Sequence, residues 1–399
     1  MKSNYKRLGP YIQQVDIRNK DDKRDNLLGV SVSKNFIESI ANTVGTNFKR
    51  YKVVKKGQFT YIPDTSRRGD KIAVALLEEK EQGLVSQAYT VFEVIDTTTL
   101  LPEYLMMWFR RPEFDRYARF ISHGSVREIF SWEDMCDVKL PIPPIEEQRE
   151  IVREYNVIRD RIKLNNQFSQ KLEETAKAVY KQWFIDFDFP DENGNPYNSS
   201  GGSMELNQEL NMEIPKGWKM GVLSDIAHIT MGQSPSGESY NDEGKGMVFY
   251  QGRSDFGFRY PRVSTYTTSP KKISKEGDIL LSVRAPVGDL NISLEECCIG
   301  RGLASLSSKH ECNSYLFYLM KTYQPQFDSS NKEGTVFGSL NKDTLNGLTV
   351  VYSEEYIRKF EEIVSVIDNQ IKIYSEQNNK LISLMELLNS KMSNQRSSL

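Results

Sequence analysis

Two segments of the chain carry apolar side chains at alternating spacings of four and three residues, the first from Ile151 and the second from Phe360. This heptad spacing predicts helices with one continuous apolar stripe, because residues three and four apart share a helix face. Each helix would contain roughly 40 residues and extend roughly 60 Å. The first stripe consists of Ile151, Tyr155, Ile158, Ile162, Asn165, Ser169, Leu172, Ala176 and Val179, and the second of Phe360, Val364, Ile367, Ile371, Tyr374, Asn378, Leu381, Met385 and Leu388.

The two stripes are related by a single offset of 209 positions, which holds for every member. Short identities follow the same offset, as in Lys171-Leu172 and Lys380-Leu381. Ahead of the helices, His123-Gly124-Ser125-Val126 resembles Glu333-Gly334-Thr335-Val336. The chain therefore has a domain–helix–domain–helix order that indicates duplication, and we expect an approximate internal two-fold axis.

Helices of this length cannot bury a whole stripe against one small domain. Because the stripes match in length and register, we expect the helices to pair with each other, and the internal symmetry favours an antiparallel coiled coil. The other interpretation is that each helix docks along a separate protein. Asn165, Ser169 and Asn378 fall within the stripes and would fix the register at some cost in stability.

The segments outside the helices combine strand and helix signals. Apolar runs at residues 72–77, 88–94 and 277–283 predict short strands, and those at 101–109 and 314–320 predict short helices. The fold class that follows is α+β, a mixed α/β protein. Its predicted parts are globular domains at 1–145 and 218–350, long helices at 146–187 and 351–394, a linker at 188–217 and a tail at 395–399.

Charge is distributed unevenly along a chain whose net charge is only −2. Residues 1–72 carry 16 Lys+Arg and 7 Asp+Glu, a net of +9, whereas residues 146–213 carry 8 and 14, a net of −6. The basic segment predicts a surface for phosphate groups. The four cysteines form no CxxC and there are only three histidines, so we expect no metal site. No apolar run has membrane-spanning length, and we expect a cytoplasmic protein.

Motifs for catalysis are missing from the sequence. There is no GxxxxGK[ST] loop of an ATP-driven motor, no GxSxG and no zinc-deaminase signature. Residues 142–145 contain two prolines but lack the polar and aromatic flanks of an amino-methyltransferase motif. We therefore assign no catalytic residue to this chain.

Four phrases resemble one known family. Residues 140–152 (LPIPPIEEQREIV) are similar to the proline hinge and helix start of type I restriction–modification specificity subunits. Residues 231–236 (MGQSPS) resemble the opening of that family's second domain, and residues 282–289 (SVRAPVGD) and 298–303 (CIGRGL) resemble its strand and loop signatures. The similarity spans the chain in order, except that residues 11–34 do not repeat the GQSP phrase in the first domain.

The resemblance implies two target recognition domains, each of which reads one half of a split, asymmetric sequence in double-stranded DNA. It implies that the helices space these domains and dock two methyltransferase subunits. In such a complex S-adenosylmethionine belongs to the methyltransferase, and ATP and Mg to motor-nuclease subunits. No cofactor is then expected on this chain.

Candidate DNA contacts in the second domain lie in turns rich in glycine and proline. Glutamine pairs with adenine edges, arginine with guanine edges, and serine with phosphate oxygens. The candidates are Gln233, Ser234, Ser236, Gln251, Arg253, Ser254, Arg284 and Arg301. The structural alternatives are a turn with an Arg253–Asp255 salt bridge, internal pairs of Arg284 or Arg301 with Asp289 or Glu295, and simple turns at the serines.

Candidate contacts in the first domain come from its basic segment, where cations alternate with aromatic residues. They are Lys49, Arg50, Tyr61, Arg67, Arg68, Lys71 and Arg127. Arg127 stands where the second repeat has Phe337, which favours a contact specific to one half-site. The alternative for each lysine is an ordinary solvated surface.

Two other classes of function stay open at this point. One is an enzyme acting alone on nucleotides through the glycine-rich loops of the second domain. The other is a decoy or scaffold that binds a methyltransferase through the helices but does not read DNA.

Overall fold

The computed structural model describes residues 5–39, 43, 45–65, 71–122, 128–327 and 340–392, and it divides into two compact units. The first unit comprises Met1–Lys163 and Asn378–Leu399, and the second comprises Leu164–Gln377. Each unit therefore holds one globular domain and part of each long helix. No described helix combines the length and hydrophobicity that a membrane span requires.

The first domain is built on a four-stranded antiparallel sheet. Its strands are β1 (Tyr5–Arg7), β2 (Ile12–Val15), β3 (Leu28–Val30), β4 (Phe36–Glu38), β5 (Lys52–Lys55), β6 (Phe59–Tyr61), β7 (Val74–Leu76), β8 (Gln82–Val85), β9 (Thr90–Val94) and β10 (Lys139–Pro141). The main sheet has the order β2-β9-β6-β7, and the pairs β1-β10, β3-β4 and β5-β8 surround it.

Helices cover the core of this sheet. They are α1 (Pro102–Phe109), α2 (Pro112–Ile121) and α3 (Trp132–Asp137), followed by the long helix α4 (Ile145–Phe184). Both α1 and α2 begin with proline, whose missing N–H would have no partner in the first turn of a helix. Phe59, Phe92 and Phe109 pack together between the sheet and α1, and Tyr155 of α4 joins the same core.

The second domain has two larger sheets. Its elements are β11 (Met204–Asn207), β12 (Met212–Pro215), β13 (Lys219–Val222), α5 (Leu223–Ile226), β14 (Ala227–Met231), β15 (Tyr240–Asn241), β16 (Met247–Tyr250), β17 (Tyr266–Thr267), β18 (Ile273–Ser274), β19 (Ile279–Ser282), β20 (Leu290–Ile292), β21 (Cys297–Ile299), β22 (Leu303–Ser308), α6 (Asn313–Thr322), α7 (Lys342–Asn346), β23 (Thr349–Tyr352) and the long helix α8 (Glu354–Lys391). The sheets have the orders β14-β22-β19-β20 and β15-β17-β16-β21-β18, and β16 and β21 are parallel.

The duplication is visible in the strand topology. Counted along the chain, both four-stranded sheets place their first, fourth, second and third strands side by side, as β2-β9-β6-β7 and β14-β22-β19-β20. A helix follows the fourth strand in each, α1 after β9 and α6 after β22. Each domain then closes by pairing its last strand with an early one, in β1-β10 and β13-β23, immediately before the long helix.

The predicted stripes lie on the buried faces of the long helices. All nine stripe positions of α4 and all nine of α8 are buried or half-buried. Tyr155 and Ile158 are buried on α4, and Phe360, Val364 and Ile371 on α8. The half-buried stripe positions are Ile151, Ile162, Leu172, Val179, Ile367, Tyr374, Leu381, Met385 and Leu388.

The helices pair antiparallel within each unit. In the second unit, Tyr180 of α4 contacts Phe360 of α8, while Phe168, which lies earlier in α4, stacks on Tyr374, which lies later in α8. In the first unit, Tyr155 of α4 and Met385 of α8 line one cavity and share one core. As residue numbers fall along one helix, those of its neighbour rise, which agrees with the antiparallel arrangement predicted from the repeat.

Candidate nucleic-acid interface

Four loops of the second domain converge at one edge of its two sheets. They are residues 232–236 after β14, 251–257 after β16, 283–289 after β19 and 300–302 after β21. Backbone hydrogen bonds join them: Gly300 N–H donates to the Tyr250 carbonyl at 2.8 Å and Gln233 N–H to the Ile299 carbonyl at 3.0 Å. The separate phrases of the sequence thus form one continuous surface, which we call the reading edge.

Glycines make this convergence possible. A Cβ atom on Gly232 would lie 2.1 Å from the Gly300 carbonyl oxygen, and one on Gly302 would lie 2.9 Å from the Gln251 carbonyl oxygen. Such distances exclude a side chain without movement of the backbone. Gly232 and Gly302 are therefore explained by the close approach of neighbouring loops.

The candidate arginines differ in their partners. Arg253 pairs with Asp289, not with Asp255 as one alternative expected. Asp255 instead accepts from the N–H groups of Gln251 at 2.8 Å and Gly252 at 3.4 Å, which stabilises the turn. Asp289 thereby holds Arg253 at the surface, where its guanidinium remains half-exposed.

Arg284 and Arg301 are the two exposed cations of the reading edge that form no ion pair among the described residues. The expected alternative, pairing with Asp289 or Glu295, does not occur. The Arg301 N–H donates to the Ser234 hydroxyl at 3.2 Å, so Ser234 fixes the backbone of this loop. Both guanidinium groups are consequently available to a ligand.

The reading edge encloses a cleft of about 700 Å³. Arg253, Ser254 and Arg284 line it, and Lys321 of α6 adds a further cation. Gln233, Ser236 and Gln251 are exposed on the neighbouring loops. Every second-domain candidate therefore lies on one edge, and all except the half-buried Ser234 are exposed.

In the first domain, the predicted Lys49 and Arg50 are exposed on a turn at Phe48–Arg50. Arg18 donates to the Arg50 carbonyl at 2.8 Å and Asn19 to the Phe48 carbonyl at 3.1 Å, so residues 18–24 lie beside this turn. That segment adds exposed cations that the sequence analysis did not select. They are Lys20, Lys23 and Arg24.

The prediction of Tyr61 as a DNA contact is wrong. Tyr61 is 0% exposed in β6, a strand with a neighbour on each side in the sheet, and its ring contacts Phe92 and Phe130. Burial raises the pKa of its hydroxyl. Lys71 is exposed just before β7, whereas Arg67, Arg68 and Arg127 lie outside the described residues.

The loops of the reading edge have equivalents in the first domain when strand connections are matched by their order along the chain. The β19–β20 connection carries Arg284, and the corresponding connection of the first domain, β6–β7, includes Arg67 and Arg68. Similarly, the loop after β14 carries Gln233, and the loop after β2 carries Lys20 and Lys23 of the basic segment. The repeated topology thus assigns polar and basic side chains to equivalent connections in both repeats.

We also searched the described residues for metal-binding clusters and reactive thiols. The described residues contain no cluster of three or more His, Cys, Asp or Glu side chains that could hold a metal ion. Burial raises the pKa of the Cys297 and Cys312 thiols to about 11, so both are protonated at neutral pH. Neither thiol is therefore activated as a nucleophile.

Comparison with known proteins identifies relatives of the same kind. The chain is 31% identical over 282 residues to the putative type I restriction enzyme MjaX specificity subunit of Methanocaldococcus jannaschii, covering 69% of this chain and 63% of that protein. It is 24% identical over 399 residues to the type I restriction enzyme HindI specificity subunit of Haemophilus influenzae, covering 84% and 86%. The match to a second M. jannaschii protein, the MjaIX specificity subunit, spans 66% of that relative at 24% identity.

A solved structure shares the fold. The crystal structure of a type I restriction–modification system S subunit from M. genitalium superposes with a TM-score of 0.56 at 15% identity, covering 97% of this chain and 95% of that one. The sequence model of the type I restriction modification DNA specificity domain matches residues 4–174 and 215–382, so each match contains one globular domain and most of the long helix that follows it. The chain belongs to the type I restriction modification DNA specificity family.

Proposed function

We propose that this chain is the specificity subunit of a type I restriction–modification complex and reads a bipartite DNA target with its two domains. The observation that carries the proposal is the repeated topology, which gives both domains equivalent connections whose sequences carry polar and basic side chains. Two similar but unequal reading surfaces suit two unequal half-sites. A single chain of this kind binds an asymmetric sequence.

The second domain supplies chemistry for direct readout of bases. The Gln251 amide can pair with an adenine edge in the major groove, and the guanidinium groups of Arg284 and Arg301 with guanine edges. Each good bidentate pair contributes roughly 1–3 kcal/mol of discrimination. Serine hydroxyls and backbone N–H groups of the same loops serve phosphate oxygens and position the domain.

The first domain supplies a surface for the DNA backbone. Its exposed cations include Lys20, Lys23, Arg24, Lys49 and Arg50. All five belong to residues 1–72, which carry a net charge of +9. Contacts of this type release counterions and make affinity depend steeply on salt. They orient the domain together with the predicted Arg67, Arg68 and Lys71, while Arg127 remains the candidate for a contact specific to one half-site.

The long helices would set the separation of the half-sites and dock two methyltransferase subunits. Their stripes are used within the chain, yet large apolar residues remain exposed on other faces, including Val157 on α4 at 66% and Val366 on α8 at 68%. Exposed apolar surface on a regular helix suits a protein partner. S-adenosylmethionine would be bound by that partner, and ATP and Mg by the motor-nuclease subunits, with no catalytic group on this chain.

A methylation map tests the proposal most directly. Genomic DNA from the strain that encodes the chain is sequenced by a single-molecule method, with the chain intact and deleted. We expect one bipartite methylated motif to disappear on deletion. An unchanged map in a strain whose methyltransferase is active would overturn the proposal, and co-purification of the chain with that methyltransferase would then indicate a decoy.

A further inference from the structure

One buried arginine connects the reading edge of the second domain to both long helices. Arg259 lies between the turn at Arg253–Asp255 and β17, and it is 1% exposed. A guanidinium group is always charged and loses its hydration when buried, so its partners must replace the water. The identity of those partners therefore indicates what the residue does.

Three helices provide the partners of Arg259. One terminal nitrogen donates to Glu173 of α4 at 3.4 Å, and the other donates to Asp368 of α8 and to the Tyr318 hydroxyl of α6 at 3.2 Å. The Tyr318 hydroxyl also donates to Asp368 at 2.9 Å. The guanidinium carbon lies 3.6 Å from the ring centre of Phe317, also on α6.

The carboxylate on α4 is itself the centre of a charge network. Glu173 pairs with Lys177 at 2.7 Å and lies 3.8 Å from Lys321, which lines the cleft of the reading edge. Arg259 and Lys321 thus approach the same carboxylate from the domain, while Lys177 approaches it from the helix. We call Arg259, Glu173 and Asp368 the buried charge triad.

The backbone at Arg259 is joined to the loop that would contact DNA. The Arg259 carbonyl accepts from the Ile292 N–H at 2.9 Å. Two residues earlier, Gly257 is bonded in both directions to the Asn291 side chain, at 3.0 and 3.1 Å. Gly257 and Asn291 line the same cleft as Arg253 and Ser254. A shift of Arg259 would consequently move the wall of the cleft.

Stability alone does not account for a buried charge triad. Well-packed apolar residues of similar volume are often as stabilising as a buried ion pair, whereas ionic groups require one geometry. Arg259 can satisfy both carboxylates only when Glu173 and Asp368 stand opposite each other. A slip of one helix by a turn, roughly 5.4 Å, would separate them. The triad therefore ties the register of the helix pair to the position of the loop.

The first domain is attached to α4 differently. Arg159 of α4 pairs with Glu78 at 2.9 Å, with side chains that are 34% and 30% exposed, and Lys163 pairs with Glu79 at 2.6 Å near the surface. Lys34 and Arg111, which are buried in that domain, pair with Asp115 and Glu113 of α2 and not with a long helix. Among the described residues, a buried arginine that pairs with carboxylates of both long helices thus occurs only in the second domain.

We propose that Arg259 is a positioning residue that couples the register of the two long helices to the 251–257 loop of the reading edge. It would thereby control base discrimination only at the half-site that the second domain reads, which we call the second half-site. The inference rests on the proposed function, because it requires that the second domain read one half of a bipartite target.

The test uses the full chain in complex with its methyltransferase and DNA duplexes with single-base changes in either half-site. Ser254→Cys, carrying a photo-crosslinker, first identifies which half-site lies beside the second domain. If the unchanged protein discriminates at neither half-site, the proposed function fails before any triad variant is made. Methylation rates on matched and mismatched duplexes then give a discrimination ratio for each half-site.

For Arg259→Met we expect the ratio at the second half-site to fall about tenfold while the ratio at the first changes less than about twofold. Because this change removes the cation paired with Asp368 and one of the three cations around Glu173, it also lowers thermal stability. The triple variant Arg259→Met, Glu173→Gln, Asp368→Asn removes the charges together. We expect it to recover stability but not discrimination, a separation that a purely structural role would not produce.

Lys34→Met is the matched control, since it removes a buried, ion-paired cation of the first domain and should leave the second half-site ratio unchanged. Equal losses at both half-sites in Arg259→Met would overturn the proposal. The proposal would also be overturned by a triple variant that regains stability and discrimination together, or by a folded Arg259→Met variant that keeps its discrimination.

Discussion

Phe168 of α4 stacks on Tyr374 of α8 with ring centroids 5.9 Å apart and planes inclined by 23°. Three residues away on each helix, Asn165 donates to the Gln377 side chain at 3.4 Å. Residues 165–168 therefore face residues 374–377, and both segments contain four residues. This relationship identifies blocks that can be removed from the two helices without mismatching their neighbours.

Removing residues 165–168 from α4 alone should change the spacer length of the DNA target or abolish function, because the stripe on α4 loses its register. Removing the facing residues 374–377 as well should restore pairing and shorten the helix pair by roughly 6 Å, close to two base pairs at about 3.4 Å each. The methylated motif of each variant measures the effect. Altered half-site sequences, instead of altered spacing, would contradict the idea that the helices only set distance.

Replacing Arg284 or Arg301 by alanine should weaken DNA binding, because each is exposed on the reading edge without an ion pair among the described residues. A base contact should cost roughly 1–3 kcal/mol and relax the sequence at one position, whereas a phosphate contact should weaken all sequences alike. Binding to a panel of mutated targets distinguishes the two. Lys309→Ala is the control, since Lys309 follows the opposite end of β22 from Arg301; an equal loss there would rule out a local role for the edge.

Alanine at Lys23, Lys49 or Arg50 should reduce affinity for any sequence and lower the salt dependence of binding by about one unit of slope for each lost phosphate contact. Titrations at several salt concentrations on specific and unrelated duplexes provide the measurement. Lys80, exposed at the other end of the β5–β8 pair, is the matched control. A slope that falls equally in Lys80→Ala would mean that general charge, and not this surface, determines the effect.

Two residues of α8 separate stability from partner docking. Phe360 is buried among Tyr180, Trp183 and Phe184, and Phe360→Ala should destabilise the fold by about 3–5 kcal/mol. Val366 is 68% exposed, so Val366→Ser should change stability by less than about 0.5 kcal/mol. If a methyltransferase covers this face, the serine variant should bind it about tenfold more weakly, since burying a valine contributes roughly 1.5 kcal/mol. Unchanged affinity would place the docking surface elsewhere.

Much of the architecture follows from the sequence because the controlling patterns are local and repeated. The heptad stripes define α4 and α8, and the offset of 209 positions anticipates that two similar domains alternate with them. The loop phrases were recognisable because glycine is required where loops cross, as Gly232 shows. Such features depend on short spacings or on backbone geometry, which a sequence displays directly.

The partners of individual charges could not be predicted in this way. Arg253 pairs with Asp289 of a different loop, and Arg259 reaches Glu173 and Asp368, 86 and 109 positions away. Tyr61 was assigned to DNA because cations follow it in sequence, but its ring is buried in the core against Phe92 and Phe130. Lys20 and Lys23 were missed because neighbouring aspartates obscure them, and only the fold places them beside Lys49.

The buried carboxylates Glu173 and Asp368 should respond to acid in opposite directions. Burial alone would raise the pKa of Glu173, but the hydrogen bond from Lys177 and the charges of Lys321 and Arg259 hold that pKa below its ordinary value. Its contribution to stability is therefore present above about pH 4.3, the ordinary value, and is lost as the pH falls through the lowered pKa.

Burial raises the pKa of Asp368 above its ordinary value although Arg259 opposes the shift. As the pH falls, the folded state therefore binds this proton before the unfolded state does. Chemical unfolding from about pH 2.5 to pH 7 should show the stability difference between wild type and Glu173→Gln shrinking below about pH 4.3, while the difference from Asp368→Asn shifts in favour of wild type as the pH falls. Parallel curves for the two variants would mean that the carboxylates share their proton as one group.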